Sequence, residues 1–194
     1  MNRKVWLYVG VISTITFFVL LICVSIFLNS PKEEKIKKLD GGDISLTYTD
    51  DINGLSMTNL RLISDVVGMR LDSADMFFDF SVATDLTEAN EIDYEISIKK
   101  DTNYSTTIDE NIRVYLEKQK STNFVKVFGP ETYEPLANSN GLTKKGYMPV
   151  YKEKVTTSGI DNYRLRVWVS DKAKIPKGAK QNITMKVYVN GKAK

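Results

Sequence analysis

The chain has no histidine and only one cysteine among its 194 residues. Histidine is the commonest general base and a favoured zinc ligand, so histidine-dependent catalysis and the usual zinc sites are excluded. The single cysteine, Cys23, lies in an apolar N-terminal run and cannot form an internal disulfide. The polypeptide after that run must therefore be stabilised by a hydrophobic core, which its length allows.

An excess of charge of either sign is also missing. Arg3 and Lys4 precede the apolar run, and the rest of the chain then has 25 Lys and Arg against 24 Asp and Glu, a net charge of +1. A nucleic-acid-binding domain of this size ordinarily has a strong basic excess or a basic stripe. We therefore predict no nucleic-acid partner.

Residues 5–28 contain no charged side chain and no proline. As a helix this run would be about 36 Å long, and the hydrocarbon core of a bilayer is about 30 Å thick. The alternative is a cleaved signal peptide, whose apolar region is usually about 7 to 15 residues long. The length favours a retained transmembrane signal-anchor at 5–28, with 1–4 outside the span, a stalk at 29–42 and a folded domain at 43–194.

The basic residues around the run bear on its orientation, and they are Arg3 and Lys4 before it and Lys32, Lys35, Lys37 and Lys38 after it. Counted alone, they favour a cytoplasmic C-terminal side. The basic start followed at once by an apolar run is instead typical of a signal-anchor, and a domain free of cysteine and histidine suits export. We predict a single-pass cell-membrane protein with a cytoplasmic N-terminus and an extracytoplasmic C-terminal domain.

From residue 43 onward, apolar and polar residues alternate with the period of two that predicts strands with one buried face. The clearest segments are 78–82, 92–98, 112–116, 163–169 and 183–189, and weaker ones are 44–49, 60–63, 124–128 and 148–155. Residues 133–138 allow one short helical turn. We predict an all-β domain of about nine strands, a single β-sandwich or jelly roll.

Two routes to catalysis remain, a carboxylate pair, as in glycoside hydrolysis, or a serine with lysine. One acidic stretch consists of Asp85, Glu88, Glu91, Asp93 and Glu95, and we interpret it as a solvated face and loop. Calcium prefers several oxygen ligands on one loop, but the group formed by Asp50, Asp51 and Asn53 lacks the spacing of an EF-hand and is interpreted as a turn. We predict no catalytic residue, metal or cofactor.

The last two predicted strands present aromatic and basic side chains outward. If these strands pair, they form one ladder consisting of Arg164, Arg166, Trp168, Lys186 and Tyr188. Cross-strand pairs of this kind commonly stabilise a sheet, with acidic neighbours satisfying the arginines. Trp, Tyr and Arg also dominate binding energy at interfaces, so a partner-binding surface is the functional alternative.

The segment between those two strands is rich in lysine, at Lys172, Lys174, Lys177 and Lys180. Such a segment is most often a solvated loop. Its functional alternative is contact with an anionic wall polymer or with lipid head groups.

The layout resembles exported Gram-positive surface proteins of the camelysin and TasA group. The resemblance consists of a basic start, a membrane segment and a cysteine-free strand-rich domain, with FFDF at 77–80 and YRLRVWV at 163–169. It implies an exported jelly roll and, as in the fibre-forming members, assembly by strand donation. Those fibre proteins are released by signal peptidase, whereas this span looks retained. The chain also has no histidine for the metalloprotease site that the name camelysin suggests.

A type IV pilin also joins an apolar helix to a β-rich head, but no processing site or early Glu accompanies this run. Two classes of function remain. One is an anchored structural or interaction protein of the bacterial surface, working in surface assembly, adhesion or the outer part of a membrane complex, with a protein partner or by self-assembly. The other is a carboxylate-based hydrolase or carbohydrate-binding module on the same scaffold.

Overall fold

The computed structural model describes residues 34–39, 42–48, 54–58, 60–72, 77–176 and 179–194. The predicted membrane segment at 5–28 lies outside these residues. Within them, no helix has both the length and the apolar character needed to cross a bilayer. The described chain is mostly β, which confirms the predicted all-β class.

Eleven strands are present in the described residues. They are β1 (Glu34–Leu39), β2 (Gly42–Tyr48), β3 (Gly54–Met57), β4 (Leu62–Ile63), β5 (Phe77–Leu86), β6 (Ile92–Lys100), β7 (Ile112–Lys120), β8 (Asn123–Thr132), β9 (Met148–Val155), β10 (Gly159–Ser170) and β11 (Ile183–Ala193). A one-turn helix, α1 (Asp65–Gly68), follows β4, and a 3₁₀ turn (Asp109–Asn111) precedes β7.

The strands form two sheets. Sheet A has the order β1-β2-β5-β10-β7-β8, and sheet B has the order β3-β11-β6-β9. All neighbours on these two paths are antiparallel, while the short β4 pairs in parallel with the last residues of β10. β10 is therefore a central strand of sheet A, and from Tyr163 to Val169 its side chains are buried or half-buried on both faces of the sheet.

The core lies between the two sheets because each strand turns its apolar set inward. In sheet A the buried set includes Phe80, Val82 and Leu165, and in sheet B it includes Ile96 and Val187. Aromatic rings meet across the interior, where the centroids of Tyr151 on β9 and Tyr163 on β10 are 5.9 Å apart. The alternation predicted from the sequence thus identified the buried face of the main strands correctly.

Two local predictions are wrong, and one strand was missed. Glu34–Leu39, expected to be part of a solvated stalk, is an edge strand with six residues in register with β2, since an edge strand needs backbone pairing on only one side. The four-residue β3 was not predicted because it is too short to show a period. Residues 133–138 are not helical: Tyr133 is buried, and its backbone N–H donates to the Ile112 carbonyl.

Candidate functional site

The five residues of the predicted ladder do not form one surface. Arg164, Arg166 and Trp168 lie on β10 in sheet A, whereas Lys186 and Tyr188 lie on β11 in sheet B. The alternation of a strand determines which side chains share a face but not which strand is its neighbour. The pairing considered from the sequence is therefore wrong, and the two groups belong to opposite outer faces.

Arg164 is held by acidic and aromatic neighbours on sheet A. Its Nε and Nη2 atoms each donate to the Asp79 carboxylate at 2.8 Å, and this pairing raises the pKa of the arginine. The guanidinium carbon lies 3.9 Å from the ring centroid of Phe77 and 4.4 Å from that of Phe124. These contacts stabilise the sheet in the way that the structural interpretation of the ladder expected.

Arg166 and Trp168 are covered, with exposures of 4% and 1%. Arg166 Nε donates to the Leu71 carbonyl at 2.9 Å, and its guanidinium forms ion pairs with Glu117 and Asp72. The backbone of α1 crosses Trp168, because a Cβ atom placed on Gly68 would lie 2.3 Å from Trp168 Cε2. Neither side chain is available to an external partner in this arrangement.

A bidentate ion pair fixes α1 over the sheet. Arg113 Nη2 and Nε donate to the two carboxylate oxygens of Asp65 at 2.9 and 3.2 Å, and Arg113 Nη1 donates to Thr132 Oγ1 at 2.8 Å. The hydrogen bond from Arg113 is the largest cause that lowers the pKa of Asp65. The charged face predicted for β10 is thus an internal contact between sheet A and the segment 64–72.

Lys186 and Tyr188 instead line an open pocket on sheet B. This sheet B pocket has a volume of about 270 Å³ and is formed by Lys99, Lys100, Asp101, Thr102, Asn103, Lys186 and Tyr188. The Tyr188 ring meets Tyr147 edge to face at 4.8 Å, and Lys99 Nζ lies 5.0 Å from the Tyr147 centroid. Lys186 Nζ is 3.6 Å from Asp101 and its side chain remains 45% exposed.

The side chains at the sheet B pocket can form both polar and apolar contacts. Its lysines and the Tyr188 hydroxyl can donate to anionic or hydroxylated groups, and the Tyr188 ring, with Tyr147 beside it, offers apolar contact area. Partial burial raises the pKa of Tyr188, so its hydroxyl stays protonated and can donate at neutral pH. Lys186 and Tyr188 are the part of the predicted partner surface that can still meet a ligand, and the structure adds Tyr147 and Lys99.

A second polar group lies inside the sandwich and joins the two sheets. We call Lys118, Tyr94, Glu153, Asp161 and Tyr163 the inter-sheet cluster. Lys118 Nζ is 2.6 Å from Glu153 Oε2 and 3.0 Å from Asp161 Oδ1. The Tyr94 hydroxyl is within 3.0 Å of an oxygen of each carboxylate and is also hydrogen-bonded to the Tyr163 hydroxyl.

Electrostatics decide whether the inter-sheet cluster suits acid–base chemistry. Burial acts to raise the pKa of Glu153, but the hydrogen bonds and charge of Lys118 outweigh it, and the pKa is lowered overall. Burial raises the pKa values of Tyr94 and Tyr163 well above their ordinary range, so both remain protonated donors. A glycosidase acid needs a raised pKa, whereas Glu153 is held ionised. The cluster therefore has the character of a structural ion pair.

The acidic residues of β6 and of the loop before it also form ion pairs with lysines. Glu91 and Asp93 pair with Lys154 and Lys194. Glu95 was expected on the solvent face, but it is 2% exposed. It accepts a hydrogen bond from Thr143, because the segment 136–147 folds across the outer face of sheet B.

The remaining predicted residues are placed as follows. Lys172, Lys174 and Lys180 are exposed after β10, while Lys177 lies outside the described residues, as do Asp50, Asp51 and Asn53. In the described part of the chain, no group of three or more His, Cys, Asp or Glu side chains could hold a metal ion.

Sequence reasoning missed the inter-sheet cluster, although one indication was present. Tyr94 and Tyr163 fall at inward positions of their strands, and a buried tyrosine hydroxyl usually requires a partner. The partners come from strands distant in sequence, so the alternation alone could not name them.

Comparison of the chain with protein-family models gives no match, and comparison with curated proteins gives none either.

Proposed function

We propose that this protein is a membrane-anchored β-sandwich, displayed outside a bacterial cell, that acts by binding a partner. The observation that carries the proposal is the sheet B pocket. It presents Tyr147, Tyr188, Lys99 and Lys186 on one outer face, whereas Arg166 and Trp168 of the other sheet are covered. Aromatic side chains flanked by cations are typical of surfaces that bind proteins or ligands.

Two further considerations support binding over catalysis. The interior carboxylates Glu153 and Asp161 are both paired with Lys118, and the pKa of Glu153 is lowered, so Glu153 is not a proton donor at neutral pH. The chain also has no histidine to replace them. The apolar run at 5–28 supports anchoring, and the resemblance to exported Gram-positive proteins supports a jelly-roll topology and surface assembly as the setting.

The test uses the full-length chain in its native cells. A photoreactive amino acid placed at Tyr188 is expected to form a discrete crosslinked protein species, and adding Tyr147→Ala and Lys99→Gln is expected to reduce its yield at least several-fold. The matched control is the same photoreactive group at Ile160, which is 70% exposed on sheet A. Equal crosslinking from both positions, or none from Tyr188, would contradict the proposal.

The same pocket favours one alternative, a carbohydrate-binding module, because aromatic rings and hydrogen-bond donors also suit sugars and anionic wall polymers. The lysine-rich segment after β10 would add to such a contact through Lys172, Lys174 and Lys180. Binding of the purified full-length protein to isolated wall material, lost in the Tyr147→Ala and Lys99→Gln variant, together with no protein crosslink at Tyr188, would select this alternative.

A further inference from the structure

One corner of the sandwich exposes aliphatic side chains that a water-soluble surface usually buries. Leu62 of β4 is 42% exposed, and Val66 and Val67 of α1 are 59% and 50% exposed. We call these three residues the corner patch. β4 pairs with Val169 near the end of β10, so the patch lies at the end of the sandwich toward which β10 runs.

Exposed apolar residues concentrate at that same end. Tyr104 and Ile108 are also exposed, and they lie in the connection between the end of β6 and the start of β7. β7 starts beside Val169, which places this connection at the corner-patch end. Among the large hydrophobic residues exposed in the described chain, only Ile160 lies toward the other end, at the start of β10.

The chain enters the sandwich facing the corner-patch end. Glu34, the first residue of β1, is opposite Thr47, which is opposite Ser81, which in turn is opposite Asn162. These three antiparallel pairings make β1 and β10 run in opposite directions. Followed backward from Leu39 to Glu34, β1 therefore leads toward the end of the sandwich at which Val169 lies. The chain therefore enters β1 at Glu34 from the direction of the end at which the corner patch lies.

The connection is short. Leu28, the last residue of the predicted anchor, and Glu34 are six peptide units apart, which limits their separation to about 20 Å. Val169 lies seven residues beyond Asn162, about 23 Å along the strand direction. The connection can therefore span no more than about the distance that separates the level of Glu34 from the level of Val169.

Charge at the corner suits an anionic surface. Arg61, Arg70, Lys172 and Lys174 are exposed around the patch. Of the acidic groups there, Asp65 is paired with Arg113, while Asp72, which is 85% exposed, and the exposed Asp171 still leave the four basic side chains in excess. Apolar side chains surrounded by lysine and arginine are typical of surfaces that lie in the head-group region of a membrane.

We propose that the corner patch rests on the lipid head groups of the membrane in which the chain is anchored, with anionic lipid as its ligand. This inference rests on the proposed anchoring. Leu62, Val66 and Val67 enter the interface, while Arg61, Arg70 and Lys172 contact lipid phosphates. This contact then gives the sandwich a second attachment to the bilayer besides the predicted anchor.

The test uses the full-length protein with Cys23→Ser, reconstituted in vesicles of phosphatidylcholine and phosphatidylglycerol. Single-cysteine variants Val66→Cys and Ile160→Cys carry an environment-sensitive fluorophore, and the lipids carry a quencher at head-group depth. We expect strong quenching of the label at position 66 and at least several-fold weaker quenching at position 160. Equal quenching at the two positions would overturn the inference.

A second comparison, which changes the charge of the lipid or of the protein, tests whether the ligand is anionic lipid. In vesicles of phosphatidylcholine alone, or with Arg61→Gln, Arg70→Gln and Lys172→Gln combined, quenching at position 66 is expected to fall, since each basic residue near an anionic surface contributes roughly fivefold to binding. The control combination Lys120→Gln and Lys126→Gln changes exposed lysines on β7 and β8 and is expected to have no effect. Quenching that is indifferent to both changes would overturn the role of anionic lipid.

Flotation of the vesicles separates this inference from the proposed function. Protein that floats with the vesicles but shows no quenching at position 66 retains the anchor and refutes the corner contact. Protein that does not float at all refutes the anchoring and the inference with it.

Discussion

At the scale of single residues, the inter-sheet cluster shows how polar groups can join the two layers of a sandwich. Lys118 and Asp161 come from sheet A, and Glu153 comes from sheet B. The Lys118–Glu153 contact therefore joins the two sheets, whereas the Lys118–Asp161 contact lies within sheet A. Buried ion pairs cost desolvation free energy, and removal of one partner leaves an uncompensated charge. The tyrosine hydroxyls reduce that cost, because they lie 3.0 and 3.1 Å from Glu153 Oε2 and are hydrogen-bonded to each other.

Glu153→Gln should therefore lower the free energy of unfolding at pH 7 by about 1 to 3 kcal/mol, because Lys118 loses one of its charged partners. The folded-state pKa of Glu153 is lowered from 4.5, so its stabilising contribution is present above pH 4.5 and is lost as the pH falls through the lower folded value. Urea denaturation of both proteins across this range should show the difference shrinking in acid.

The control for this experiment is Glu88→Gln, which changes an exposed carboxylate in the loop before β6. It should leave the unfolding curve nearly unchanged. A Glu153→Gln variant that is destabilised equally at neutral pH and well below pH 4 would rule out the ionised pair as the source of the effect.

At the scale of secondary structure elements, α1 explains why an outward-facing strand residue is buried. Trp168 points away from the core, yet it is covered because the chain between β4 and β5 crosses the outer face of sheet A at this point. Gly68 permits the close approach, since any side chain there would overlap the indole ring. The Asp65–Arg113 ion pair then keeps the helix in place.

Gly68→Ala should consequently destabilise the domain by about 1 to 3 kcal/mol through overpacking against Trp168. With Trp6 replaced by Phe, the fluorescence emission of Trp168 should also shift toward longer wavelength as α1 moves outward. Gly159→Ala is the matched control, because an added Cβ there meets no atom within 4 Å. An unchanged melting temperature and emission spectrum for Gly68→Ala would contradict the close packing of α1.

The elements also show where sequence reasoning succeeded and where it failed. Strict alternation in 92–98 and 163–169 predicted both the strands and their buried faces, because burial of one face requires that period. Strand order was not predictable in the same way: the pairing of β10 with β5, β7 and β4 depends on contacts between residues far apart in sequence. For that reason the residues of the sheet B pocket were only partly identified.

The alternation of apolar and polar residues also could not predict which outward-facing strand residues are covered by loops. Glu95 has the position of a solvent-facing strand residue, and only the fold of 136–147 over sheet B buries it. The same holds for Trp168 beneath α1. Alternation predicts the inner face of a sandwich well because that face has a single environment, whereas the outer face is divided between solvent and covering segments.

At the scale of the whole molecule, the sandwich has two different outer surfaces. Sheet A is covered near the end of β10 by α1, whereas sheet B exposes the pocket that contains Lys186 and Tyr188. An anchored protein with one binding face is useful only if the domain is on the side of the membrane where its partner is. The proposed function therefore depends above all on the side of the membrane on which the C-terminal domain lies.

Protease added to intact cells should digest an epitope fused after Lys194, since we predict an extracytoplasmic C-terminal domain. The flanking lysines argue for the opposite orientation, so the measurement discriminates directly between the two interpretations. A cytoplasmic marker protein provides the control for cell integrity. Survival of the epitope until the cells are lysed would refute the exported orientation.

The position of β1 at the edge of sheet A has a mechanical consequence. β1 is the described strand that follows the predicted anchor, and its six residues are paired with β2. If the domain is anchored and binds a partner as we propose, a force that pulls the partner away from the membrane passes through this ladder before it reaches the core. Detachment of β1 would release six residues, about 20 Å of extra tether, so the attachment can lengthen under load while the two packed sheets stay folded.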